Sequence, residues 1–360
     1  MPPPGATDVV VVGGGVVGSA TALELCRRGR SVTLIERFKG GHLRGSSHGP
    51  NRIFRLSYPD PKYAALAVEA LDDWARLGRD GSQRLIDPVG GLDLGEAALA
   101  CAATLEGLGV VSEEMDARQV RELAGISLPA NTPAIFHPET GVIAASKTVG
   151  VQLELAARAG CDIQEETKAI SIRPPDQPGV VIQTDRGEVT AAVAVICAGA
   201  WTRPLTATAG FDFPLVVTSE QVTYLRPQRD HIPVIIDWSE PLHYLVPMAF
   251  GAPGWKVGIH HSGDPVNPEE GPFPSSEERN QSAVAWIGRL TGSIPEVVAD
   301  ETCLYTTAPS DEFILERSGD IVVVSTCSGH GFKFAPRIGR AAADLADGID
   351  PRLPGGIGEI

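Results

Sequence analysis

Asp8-Val-Val-Val-Val12, then Gly13-Gly-Gly-Val-Val-Gly18, then an apolar run through Ala20, Ala22, Leu23 and Leu25, then Ser31-Val-Thr-Leu-Ile-Glu36 is the stretch that decides the fold. It reads as a buried strand, a glycine turn, a helix and a second strand, which is a βαβ unit. Arg27 and Arg28 in the last helical turn suit the helix dipole, and Gly29 stands where a left-handed cap is usual. Gly13, Gly15 and Gly18 form GxGxxG between strand and helix. Gly13 permits the tight turn, Gly15 lets a pyrophosphate approach the backbone, and Gly18 lets helix and strand pack closely. The helix N-terminus adds free N–H groups and partial positive charge. Glu36 ends the second strand 18 residues after Gly18, where a carboxylate accepts both hydroxyls of an adenosine ribose and repels a 2′-phosphate. The pattern points to FAD or NAD rather than NADP, and the turn alone does not choose between those two.

Outward from this unit, helices are expected over Tyr63–Leu77, Leu99–Leu108, Asp116–Leu123, Ser146–Ala159, Glu277–Leu290 and Pro336–Ala346. Short strands are expected over Leu85–Leu94, around Cys161–Ile172 and Val180–Thr184, over Val189–Cys197, and near Cys303–Thr306 and Ile321–Thr326. Pro214–His261 alternates mostly with period two, which suggests an antiparallel sheet. The fold class expected is α/β with two domains. A discontinuous Rossmann-like domain would span 1–82, 141–212 and 303–360, and a β-rich substrate domain 83–140 and 213–302.

The 360 residues, 43% hydrophobic and 21% charged, describe a globular chain of two or three folded units. A formal charge of −15 argues against nucleic acid, whose binding rests on phosphate neutralisation. No run reaches the roughly 18 apolar residues of a membrane span. Met1-Pro-Pro-Pro-Gly5 has no basic leader region, so the expected location is the cytoplasm. The six cysteines show no CxxC pair and no cluster with histidines, so no metal site and no disulfide framework are expected.

Five later segments carry a resemblance: Ser47-His48-Gly49-Pro50-Asn51-Arg52-Ile53-Phe54-Arg55, Ile196-Cys-Ala-Gly-Ala-Trp-Thr202, Lys256-Val-Gly-Ile-His260, Cys303-Leu-Tyr-Thr306 and Ser328-Gly-His-Gly-Phe-Lys-Phe334. Taken in order they resemble the D-amino-acid-oxidase-like FAD oxidoreductases, with a glutathione-reductase-like architecture, and most closely the monomeric sarcosine oxidase and N-methyl-amino-acid oxidase branch. The resemblance runs from the N-terminus to about residue 346. It implies FAD, bound through Gly13, Gly15, Gly18, Glu36, Arg37, Ser47, Arg52, Gly329, Gly331 and Lys333. It also implies a thioether from Cys303 to the flavin, although by composition alone this residue reads as a buried strand cysteine.

The same resemblance implies that Arg55 and Lys333 pair with a substrate carboxylate, that Arg52 and His48 lie near the flavin ring, and that Lys256 activates dioxygen. His260, on the same strand face as Lys256, would hydrogen-bond near the substrate amine. Tyr244 would line the substrate pocket, and it reads equally well as a buried strand anchor. His330 is expected to shape its turn. The implied reaction oxidises a secondary or N-methylated α-amino acid to an imine and reduces dioxygen to hydrogen peroxide, with no metal and no obligatory protein partner. Alternatives are a cyclic imino acid substrate of the pipecolate or proline kind, an amine dehydrogenase with another electron acceptor, and an NAD-dependent dehydrogenase, for which Cys303 and the SGHGFK turn have no use. The chain departs from the sarcosine oxidase pattern at Ser47, at Pro50-Asn51, and by one extra residue between Pro247 and Lys256.

Overall fold

The computed structural model describes residues 6–173 and 178–358. Met1–Gly5, on which the reading of a leader rests, lie outside the described residues. The expected βαβ unit is present as strand Thr7–Val12, helix Val16–Arg27 and strand Val32–Ile35. Val9 to Val12 are all buried because both faces of a parallel sheet are covered. Val9 and Val11 pack towards the helices Val16–Arg27, Pro61–Asp80 and Ala335–Ala346, whereas Val10 and Val12 join a second cluster with Leu205 and Phe213.

This first sheet runs in the order Ala169–Arg173, Val180–Thr184, Gly187–Ile196, Thr7–Val12, Val32–Ile35, Asp162–Gln164. Ile321–Ser325 lies parallel to the far half of Gly187–Ile196, and Ile314–Ser318 pairs antiparallel with it. Early, middle and late parts of the chain therefore meet in one sheet. Gly13 and Gly18 are needed at its edge. Gly13 has φ +105°, and a Cβ on Gly18 would lie 1.9 Å from the Gly13 carbonyl oxygen.

A second sheet of nine strands is built around Val216–Leu225, Trp255–Ile259, His243–Pro247, Val234–Asp237, Gly91–Leu94 and Ala134–His137, with the long strand Val297–Thr307 on the other side of Val216–Leu225. One pairing departs from the antiparallel expectation. Val234–Asp237 runs parallel to Gly91–Leu94, because the intervening chain crosses back through the first sheet before returning. The helix Glu277–Thr291 covers one face, where Trp286, Ile287 and Leu290 pack on Leu225, Leu245, Trp255 and Val257. The pleat sends the intervening residues, Tyr244, Val246 and Lys256, to the opposite face. A small antiparallel sheet of Asn51–Phe54, Gly141–Ala144 and Ile86–Pro88 stands beside that face and carries Arg52. No described helix is long and apolar enough to cross a membrane.

Candidate active site

One cavity of about 1080 Å³ is lined both by the glycine turn with Glu36 and by Arg52, Tyr244, Lys256, Cys303 and Lys333 from the far elements. Its size is at the upper end of small-molecule sites, as a dinucleotide with a substrate beside it requires. The glycine-turn end is braced for an adenosine diphosphate. Glu36 Oε2 accepts from the Gly14 N–H at 2.7 Å and Oε1 from the Phe38 N–H at 2.8 Å, which fixes the carboxylate at the strand end. Gly15 has no side chain to cap its helix, and Ser47 Oγ accepts from the Val16 N–H at 3.0 Å in its place. Arg37 lines the cavity with its charge already paired, forked onto Glu269 at 2.6 and 2.7 Å and lying over the rings of Phe38 and Trp201.

Towards the other end the positive charges converge. Arg52 donates to the carbonyls of Asn51, Ser46 and His48 at 2.8–2.9 Å and has no ion-pair partner among the described residues. Lys256 is 4% exposed and donates to the Asn51 carbonyl at 2.8 Å. Burial, and then the Arg52 charge, push its ammonium down to about 7. His48 is buried, with Nδ1 2.8 Å from Glu301 Oε1 and Nε2 without a partner. The His48 bond, with help from the Tyr224 hydroxyl at 2.7 Å, holds the Glu301 carboxyl down to about 2 against the effect of burial.

Arg55 and Lys333 form the second cationic pair. The Arg55 guanidinium carbon lies 4.3 Å from the Tyr58 ring and 4.8 Å from the Trp238 ring, and its buried Nη1 has no hydrogen-bond partner. Lys333 Nζ donates to the Tyr58 hydroxyl at 2.8 Å and the His330 carbonyl at 2.6 Å. Burial and the Arg55 charge push Lys333 well below the ordinary lysine value. A buried ammonium and a half-buried guanidinium that raise each other's free energy, with one donor unmet, make a place where a carboxylate is stabilising. His260 sits one residue beyond the strand Trp255–Ile259, so it shares the cavity with Lys256 through a turn rather than through the strand face. Burial and the neighbouring His261, Arg55 and Lys333 charges push it down to about 3, leaving a neutral imidazole at neutral pH.

Glu301, Cys303 and Tyr305 alternate along the strand Val297–Thr307 and all line the cavity, while Leu304 between them is buried. Burial pushes the Cys303 thiol up to about 11, with Arg52 and Lys256 opposing it. Gly329 and Gly331 line the same cavity. His330 is more than a turn residue: it stacks on Phe313 at 4.8 Å and lies 3.3 Å from the Tyr58 hydroxyl, forming part of the wall. All the residues expected at the site except Gly18, which packs behind the turn, line this one cavity. Sequence reasoning missed Tyr58, Tyr224, Trp238 and Glu301. Tyr224 and Glu301 lie in strands, whereas Tyr58 and Trp238 lie in connections where no local pattern marks them.

The family model described as "DAO: FAD dependent oxidoreductase" matches residues 8–345. The chain belongs to this family. This FAD-dependent oxidoreductase is 32% identical to a probable sarcosine oxidase of Arabidopsis thaliana over 95% of its own length and 88% of the relative's. It is 27% identical to an N-methyl-L-tryptophan oxidase of Yersinia pestis, covering 94% of each chain. Among solved structures, NikD, described as an unusual amino acid oxidase essential for nikkomycin biosynthesis, superposes with a TM-score of 0.85 at 27% identity over 95% of this chain and 94% of NikD. The expected family, the two-domain α/β fold and the class of enzyme, an FAD-dependent amino acid oxidoreductase, all hold. FAD fits the cavity: the braced Glu36 and the glycine turn at the helix start suit its adenosine diphosphate, and Arg52, Lys256 and Cys303 line the other end.

Proposed function

We propose that this oxidoreductase oxidises a secondary or N-methylated α-amino acid to an imine and passes the electrons to dioxygen, releasing hydrogen peroxide. The observation that carries the reading is the pairing of Arg55 and buried Lys333 in one cavity, with an unmet guanidinium donor packed against two aromatic rings. Bound FAD supplies the hydride acceptor. The chain's own residues hold the substrate. Arg55 offers bidentate geometry to the carboxylate and Lys333 a point charge, which together fix the α-carbon relative to the rest of the site.

The cationic surroundings disfavour a substrate ammonium, so the amine enters the reaction neutral. His260, itself neutral, accepts or donates one hydrogen bond without adding charge. Lys256 and Arg52 favour negative charge developing beside them, an electrostatic contribution of the oxyanion-hole kind. Cys303 is assigned to a thioether with the flavin, supported by its place on the cavity wall beside both cations. Gly13, Gly15, Glu36, Arg37, Ser47, Gly329 and Gly331 are assigned to cofactor binding, and His48 and Tyr244 to the surroundings of the reacting groups.

Anaerobic mixing with sarcosine, N-methyl amino acids, proline and pipecolate tests the reading. A secondary amino acid is expected to bleach the flavin, with peroxide formed on admitting air, and acid precipitation is expected to leave the flavin with the protein unless Cys303 is replaced by serine. Bleaching by proline or pipecolate alone favours the cyclic substrate class. Bleaching without peroxide assigns the electrons to another acceptor, and no bleaching by any carboxylated amine overturns the proposal.

A further inference from the structure

Behind the wall that carries Arg55 lies a fully buried polar cluster that the reaction above does not use. Asp93 stands between Leu92 and Leu94 in the strand Gly91–Leu94. The two leucines join the core under the helix Glu277–Thr291, so the pleat turns Asp93 to the cavity side of the sheet. It is 0% exposed, and a carboxylate is tolerated there only if its oxygens are satisfied. Oδ2 lies 2.7 Å from His137 Nε2, and Oδ1 accepts the Trp238 indole N–H at 2.8 Å. His137 Nδ1 lies in turn 2.6 Å from the Thr140 hydroxyl. Burial alone would raise the Asp93 carboxyl, but the His137 bond and charge, with the Arg55 charge beyond, hold it below the ordinary carboxylate value.

Trp238 links this cluster to the cavity. Its ring lines the pocket and lies 4.8 Å from the Arg55 guanidinium carbon. The Arg55 Nη1 has no hydrogen-bond partner, and the Tyr58 and Trp238 rings, 4.3 and 4.8 Å from the guanidinium carbon, constrain the plane of the group by packing. A ring with a free edge could tilt, and one tied by its N–H could not.

We propose that Asp93 is a positioning residue of the substrate-carboxylate pocket: anchored by His137, it fixes the Trp238 ring, and the ring fixes the plane in which Arg55 presents its two donors. The inference rests on the reading of Arg55 as the carboxylate contact. It separates from a merely structural role, which predicts lost stability with unchanged affinity for a carboxylate.

The test uses the holoenzyme and 2-furoate, a carboxylate that cannot be oxidised at an amine, with binding read from the flavin absorption spectrum. Trp238→Phe keeps an aromatic face, smaller than the indole, and loses the bond to Asp93. It is expected to weaken 2-furoate binding about tenfold, the worth of one misaimed charge-assisted hydrogen bond, with flavin content unchanged. Asp93→Ala is expected to do the same in whatever fraction folds. In an Arg55→Ala background Trp238→Phe should add no further loss, since both act through one guanidinium. Losses that simply add, or Trp238→Phe binding as tightly as the parent while Arg55→Ala does not, overturn the positioning role and leave the carboxylate reading intact. Unchanged binding in Arg55→Ala, or none in the parent, overturns the carboxylate reading itself.

Discussion

Lys256 and Lys333 are both buried amines, yet their surroundings give them different work. Lys333 is held by a hydroxyl and a carbonyl beside Arg55, an arrangement completed by an anion. Lys256 has one carbonyl partner and sits near Arg52 and Cys303, with its pKa pushed down to about 7. A lysine depressed in this way is charged below that value and loses its proton as pH rises through it. The reaction of reduced enzyme with dioxygen is therefore expected to slow as pH rises through about 7, while anaerobic reduction by substrate does not follow the same curve. Lys256→Met should reoxidise slowly at every pH, with the dependence flattened. Stopped-flow mixing with oxygenated buffer measures this, and a variant that reoxidises at the parent rate would remove Lys256 from the step.

At the scale of elements, the turn between Thr7–Val12 and Val16–Arg27 tolerates very little. A methyl on Gly18 meets the Gly13 oxygen at 1.9 Å and Cys197 Cβ at 3.2 Å, so Gly18→Ala must push the helix off the strand. Overpacking of this kind costs about 1–3 kcal/mol. A lower denaturation midpoint together with reduced flavin content is the expected outcome; unchanged values of both would show that the helix has room to move. This part of the molecule was legible in the chain because its determinants are local: alternation, glycine spacing and one acid at a set distance. The partners within the site were less so. His48 meets Glu301 across 253 residues, and Asp93 meets His137 across 44 and Trp238 across 145. No local pattern encodes such pairs. Lone acids inside strands hinted that a partner existed without saying where. His260 was placed in the right pocket by a two-residue period that had already ended at Ile259.

Across the whole molecule, the two large sheets are joined at the cavity by side chains as well as by chain crossings. Arg37, at the end of the strand Val32–Ile35, forks onto Glu269 in the turn Pro268–Glu270 that follows the edge of the second sheet. Both partners are partly exposed, so the pair contributes at most about 1 kcal/mol. In a Cys303→Ser background, Glu269→Gln is expected to speed FAD dissociation by up to about fivefold at low salt, and the difference should vanish near 1 M salt as screening takes over. Dissociation that is equally fast with and without Glu269 at low salt would show that the bridge is not a latch. The long strand Val297–Thr307 has a different consequence. Residues 216–225 pair along its length, so Glu301, Cys303 and Tyr305 are spaced by the pitch of a strand rather than by the course of a loop. Natural length variation can therefore accumulate in the surrounding connections without disturbing them. A single residue inserted between Val297 and Cys303 would instead reverse which side of the sheet the thiol faces, and the tether proposed for the pigment could not form even in an otherwise well-folded protein.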